Sequence, residues 1–298
     1  MSRIDDRYLD CVVYLYASES DAEKGIKSGG SGFLIGHYIN IFGNDVPFLF
    51  VVTNKHVANN GNNTLRLVSS SGGIEVIDLD ERDWVFHPDG DDVAVCFLLH
   101  DYRKFKFKHF GLNNFITKEI LDNYNIGPGD KTFAVGRFVN HEGSIKNLPT
   151  VRFGNIAQMP WEPIRQDNGF LQESFLVESR SVGGYSGSPV FCFIPPGSIR
   201  SGVSGWADKI LLNHGPWLLG INWGHINDWQ PVCDSLGRPI NPTDPNRMQV
   251  LVNTGMMAIV PAWKLREIFD GGLLNEGAEE KLRILASRWD GFPAGISQ

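Results

Sequence analysis

The chain has 298 residues, enough for one large or two small domains, and its 42% hydrophobic content is that of an ordinary globular protein. A net charge of −7 argues against a sequence-independent nucleic-acid binder, which needs a basic face. The first apolar run, Cys11 to Ala17, is too short and too polar in its flanks for a signal peptide or a membrane span. Four cysteines, Cys11, Cys96, Cys192 and Cys233, are widely spaced, and three lie in apolar runs where a small buried thiol is the default. They lack metal-ligand spacing. Together these features predict a reduced, cytoplasmic protein with no metal and no cofactor.

In chain order, residues 9–17 predict a first strand, and the charged, then Gly/Ser-rich stretch 18–30 a loop. Ser31–Phe42 and Pro47–Thr53 predict two strands joined by a turn at Gly43-Asn44-Asp45. Leu65–Val68 and Ile74–Ile77 alternate around a Ser-Gly-Gly turn and predict a hairpin, and Val93–Leu99 reads as a buried strand. Residues 100–128 link the halves. Within them Arg103–Phe110 alternates basic and aromatic residues, the pattern of an edge strand with phenylalanines inward and lysines in water. Lys118–Tyr124 predicts a short helix. Strands follow at 129–136, 151–157, 174–178, 190–194 and 217–223. Residues 225–247, rich in Asn, Asp and Pro, have no clear periodicity and read as an insertion. Late strands at 250–253 and 256–260 precede helical patterns at 261–269 and 279–286. Many short strands between turn signals predict a barrel or sandwich.

The chemistry concentrates in Ser181-Val-Gly-Gly-Tyr-Ser-Gly-Ser-Pro-Val190. Glycines around a serine let the backbone bend sharply, expose the hydroxyl and aim main-chain N–H groups beside it. Ser186 is the candidate nucleophile, and the N–H groups of Gly184 and Ser186 are the candidate oxyanion donors. Ser188 is the rival serine, but Pro189 blocks the amide that would follow it. Upstream, the strand 48–53 runs into Asn54-Lys55-His56-Val57, which holds His56 rigidly just beyond a strand end. Asp91-Asp92 opens the apolar run 93–99, where a carboxylate at the strand mouth can orient an imidazole.

These segments resemble the trypsin/chymotrypsin-like serine peptidases, in the bacterial branch that includes HtrA-type proteases. The matching pieces are Ser31–Gly36, Thr53–Val57, Asp92–Val95, Gly184–Pro189 and Asn222-Trp223-Gly224, in the family's order from about residue 9 to 264. The resemblance implies an all-β protein of two six-stranded Greek-key β-barrels with a C-terminal helical extension. It divides the chain into 1–115, carrying His56 and Asp92; 116–262, carrying Ser186 and a specificity pocket; and a helical segment 263–298, without a PDZ module. It selects Asp92 over Asp91, because the family's acid directly precedes the aliphatic-Ala pair. It implies that Asn222, Trp223 and Gly224 bind an extended protein or peptide substrate by strand addition. Arg180 would lie at the base of the pocket and Gly224 and Gly255 in its walls, so that a Lys or Arg side chain is excluded and an acidic or polar one favoured.

One departure stands out. Tyr185 replaces the aspartate that pairs with a freshly cut N-terminus in zymogen-type trypsins, so the site is either preformed or ordered by an activating partner. The expected function is a serine endopeptidase, with a catalytically silent peptide-binding module as the alternative. An α/β-hydrolase is disfavoured, because Ser188 breaks the Gly-x-Ser-x-Gly pattern and the order His, Asp, Ser differs. His87–Asp92 reads as a turn rather than a calcium loop.

Overall fold

A computed structural model of the chain describes residues 3–138, 143, 146–166, 168–179, 184–195, 197–200, 203, 205–206, 214–240 and 248–289. Arg180 therefore lies outside the described residues, as does part of the 225–247 insertion. Seven strands make the first sheet: β1 (Val12–Tyr16), β2 (Gly30–Ile41), β3 (Asn44–Thr53), β4 (Thr64–Val68), β5 (Ile74–Asp78), β6 (Trp84–Phe86) and β7 (Ala94–Phe97), in the order β5-β4-β1-β2-β3-β7-β6. The second half contains β8 (Lys131–Gly136), β9 (Thr150–Gln158), β10 (Ile164–Arg165), β11 (Leu171–Gln172), β12 (Phe175–Glu178), β13 (Pro189–Phe193), β14 (Trp217–Pro231) and β15 (Gln249–Pro261). Six of these close into a barrel, β12-β15-β14-β13-β8-β9, and β10 and β11 form a separate hairpin.

Both halves contain the same device. Three consecutive antiparallel strands are followed by one that returns beside the first, giving β4-β1-β2-β3 and β13-β8-β9-β12. That is Greek-key order. The architecture is the chymotrypsin-like two-barrel class, with one departure from six strands in each half. The first half has seven strands and stays open, because β5 and β6 at its ends do not pair. Between them the chain makes a 3-10 turn over Glu81–Asp83, capped by Asp80 accepting the Arg82 N–H at 2.9 Å.

Local chemistry accounts for the main connections. The β2–β3 turn is Phe42-Gly43, with φ of 50° and 83°, the doubly left-handed two-residue turn whose twist suits a hairpin. Asn44 and Asp45, expected in the turn, already pair with Ile41 and Asn40. The segment 103–110 is not a strand. It crosses the end of β4 and the start of β1, with Lys106 N–H donating to Val68 O and Lys108 N–H to Asp10 O. Its phenylalanines still point inward, and Lys104, Lys106 and Lys108 face solvent. Most of the 225–231 stretch, expected to be irregular, continues β14 and pairs with the start of β15 as a long two-stranded ribbon. Loop 18–30 contains a short helix, Glu19–Lys24, capped by Ser18 and ended by left-handed Gly25.

A contiguous core spans both sheets. Phe133 of β8 stacks on Phe191 of β13 at 5.1 Å, and Tyr8, from the N-terminal segment, meets both rings edge-on. The helix Ala262–Asp270 follows the second barrel but sets Phe269 edge-on against Phe50 of β3, 5.2 Å between centroids. It therefore fastens the halves together. The helix Ala278–Arg288 buries Leu282 and Leu285, and Arg288 Nη1 donates to Leu99 O at 3.1 Å. Among the described residues, no helix is long and apolar enough to cross a membrane.

Candidate active site

Thr53 ends β3, and Asn54, in an extended conformation, turns the chain into the short helix Lys55–Asn59 that carries His56. Asp92 meets that helix from the loop before β7. Its Oδ1 accepts the His56 backbone N–H at 2.9 Å and its Oδ2 lies 2.7 Å from His56 Nδ1. Because an ionised carboxylate only accepts, Nδ1 carries the proton and Nε2 is left as the acceptor. The Asp92 side chain is 9% exposed and that of His56 43%, so the pair has a fixed inner end and an accessible outer one.

Asp91 points elsewhere. Its Oδ2 lies 3.1 Å from His87 Nδ1 and 3.5 Å from Lys264 Nζ. His87 is buried, and its Nε2 meets Glu267 at 2.9 Å. Burial opposes the charge on Lys264, yet Asp91, Glu267 and Glu173 outweigh it and hold the ammonium above the ordinary lysine range. His87, Asp89 and Glu267 are close enough to share a metal ion, but Lys264, 3.4 Å from Glu267 Oε2, already brings a cation to that carboxylate. The cluster ties the loop before Asp92 to the C-terminal helix.

The serine turn comes from the other half. Gly184 has φ +94° and Gly187 φ +81°. A Cβ on Gly187 would lie 1.9 Å from Ser31 O and 2.4 Å from Thr53 Oγ1, so only glycine allows the turn to approach the first sheet this closely. Ser31 N–H donates to Ser186 O at 2.8 Å, and a Cβ on Gly30 would fall between Val57 and the Ser186 carbonyl. The serine turn thus lies beside the helix that carries His56. Ser186 is half-buried, whereas Ser188 is fully buried and packs over Gly136. Tyr185 is buried, with its hydroxyl on Thr150 and the Arg152 guanidinium 5.1 Å from its ring. It anchors the turn to β9. Among the described residues, Gly184 N–H and Ser186 N–H donate to no carbonyl, and Ser186 Oγ makes no hydrogen bond to His56.

Asn222 is buried, donating its N–H to Ser188 O and accepting from Gly187 N–H, both at 2.9 Å. Beyond it the β13–β14 ladder ends at Ile221, while β15 still pairs with the other edge. Trp223 and Gly224 thus present an edge with no strand beside it among the described residues. Trp223 Nε1 donates to Ser174 Oγ at 2.9 Å. Added Cβ atoms on Gly224 or Gly255 would meet only open space. Two participants are not singled out as site residues from the sequence, Asn54 and Gln172. The first sits inside a motif but has no chemistry of its own, and the second lies in a hairpin too short for periodicity. Asn54 Nδ2 donates to Asp92 O at 2.8 Å, and Gln172 Oε1 accepts Asp92 N–H at 2.9 Å.

Two Greek-key halves, with a His–Asp pair on one and a glycine-bounded serine turn on the other, define a chymotrypsin-like all-β architecture. No protein-family model and no curated protein matches the sequence. Solved structures do. Deg5 matches at 17% identity over 74% of this chain and 81% of its own, with a TM-score of 0.43. The HtrA-type protease AlgW, solved with a decapeptide, matches at 15% identity over 88% of this chain and 53% of its own, with a TM-score of 0.40. Rv3671c of M. tuberculosis, solved as an inactive serine-to-alanine variant, matches at 12% identity over 89% of this chain and 88% of its own, with a TM-score of 0.42. All three scores lie below 0.5, so the class rests on this chain's own strand order.

Proposed function

We propose that the protein is a serine endopeptidase. The observation that carries this reading is the double contact of Asp92 with His56, which fixes the imidazole and leaves Nε2 as its acceptor. In the proposed reaction, Ser186 Oγ attacks the scissile carbonyl and gives its proton to His56 Nε2. Asp92 holds the tautomer and stabilises the imidazolium. Gly184 and Ser186 N–H groups stabilise the tetrahedral oxyanion, an effect of about 10²–10³ per donor. The imidazolium then protonates the leaving amine, and water, activated by the same base, releases the acyl group from Ser186. The open edge at Trp223 and Gly224 suits an extended peptide. Arg180, with Gly224 and Gly255 as walls, favours cleavage after acidic or polar side chains and disfavours Lys and Arg.

A fluorophosphonate probe tests the reading. Wild type is expected to label covalently, and Ser186→Ala and His56→Ala are not. A second reading, a catalytically silent peptide-binding module, is favoured by the absence of a Ser186–His56 hydrogen bond among the described residues. Such bonds are often long before substrate tightens the site. Wild type that binds peptides but never labels would establish the silent module instead.

A further inference from the structure

Between β9 and β12 the chain leaves the second barrel, makes the β10–β11 hairpin, and returns. The hairpin puts Phe170 against the Asp92 loop at Gly90, where an added Cβ would lie 3.2 Å from the ring, and it buries Gln172 completely. Gln172 Oε1 accepts the Asp92 N–H at 2.9 Å, and Nε2 donates to Asp91 Oδ1 and, at 3.1 Å, to Glu173 O. The amide has one workable orientation. Reversed, its NH2 would face an N–H and its oxygen a carboxylate and a carbonyl.

We propose that Gln172 is a positioning residue for the candidate acid: a second-barrel side chain that fixes where Asp92, and through it the His56 ring, sits relative to Ser186. The Asp92 carboxylate is fully engaged by His56, so its placement depends on what holds its backbone, and Gln172 takes the backbone N–H. The hairpin also reaches the substrate edge. Ser174 Oγ donates to Gln172 O at 3.1 Å and accepts from Trp223 Nε1. Gln172 thus connects the strand proposed to bind peptide with the acid of the other half. This role rests on the endopeptidase reading.

The test compares wild type, Gln172→Met, which keeps the length and loses the amide, and Leu171→Ala, an exposed control on the same hairpin. Two quantities are read: the low-field proton resonance of His56 Nδ1 by ¹⁵N-histidine NMR, and the fluorophosphonate labelling rate across pH. In Gln172→Met the resonance is expected to shift and exchange faster with water, and labelling to fall about 10- to 100-fold. Leu171→Ala is expected to match wild type in both. A Gln172→Met protein with the wild-type resonance overturns the proposal, whatever its rate. If wild type never labels, the endopeptidase reading fails, while the resonance still tests the contact. Should Gln172→Met not fold, Gln172→Ala is read the same way.

Discussion

The side-chain oxygen of Asn54 accepts the backbone N–H of Gly187, 133 residues later in the chain. The same buried amide donates through Nδ2 to Asp92 O. One side chain therefore ties the serine turn of the closed barrel to the carboxylate loop of the open first sheet. An amide can do this because it offers a donor and an acceptor about 2 Å apart. Asn54→Ala removes both bonds and leaves buried Asp92 O unpaired. A loss of about 2–3 kcal/mol in denaturant unfolding is expected, with a fall of about 10-fold or more in fluorophosphonate labelling.

Gly187→Ala meets two separate obstacles. Its φ of +81° disfavours any L side chain, and its Cβ would overlap Ser31 O and Thr53 Oγ1. Ser31 O is backbone within β2 and cannot yield cheaply. The variant should lose at least about 3 kcal/mol in urea unfolding, or fail to fold. Wild-type stability in this variant would mean the turn does not approach the first sheet as described.

The two serines of the turn make opposite predictions. Ser188 Oγ is buried with no hydrogen-bond partner among the described residues, so Ser188→Ala removes an unsatisfied polar atom. It should be neutral or stabilising by about 1 kcal/mol and should leave fluorophosphonate labelling unchanged. Ser186→Ala should abolish labelling with little effect on stability. Loss of labelling in Ser188→Ala alone would move the nucleophile.

His100 should make the protein acid-sensitive. Burial, helped by Arg288 and Lys104, lowers its pKa to about 4 from 6.5, and its Nδ1 has no partner among the described residues. The unfolded chain takes up this proton near pH 6.5, and the folded chain does so only near pH 4. Between those values the unfolded state binds more protons, so stability falls as pH falls through this window. His100 is only partly buried, and after discounting for solvent the effect is about 1–2 kcal/mol. Thermal unfolding at pH 7 and pH 4.5 should show a drop that is smaller in His100→Gln.

Much of the site lies in short, local signals. Gly184 and Gly187 mark the sharp turn because positive φ selects glycine, and the apolar runs before Asn54 and after Asp92 mark strand ends. The fold class follows from many short strands between turns. Boundaries were less legible where tertiary pairing overrides composition. The 225–231 stretch looks irregular by itself and becomes strand only because β15 lies beside it.

Sequence alone determined which residue types stand at strand mouths and turns, since local backbone preferences act between near neighbours. Tertiary structure decided which way they face. Adjacent Asp91 and Asp92 are the same amino acid, yet one carboxylate meets Lys264 and His87 and the other the His56 ring. Likewise only folding brings Gln172 to Asp92, because a side chain that works through one hydrogen bond leaves no periodic trace. Its partner, 80 positions away, exists only once two sheets close on a shared core.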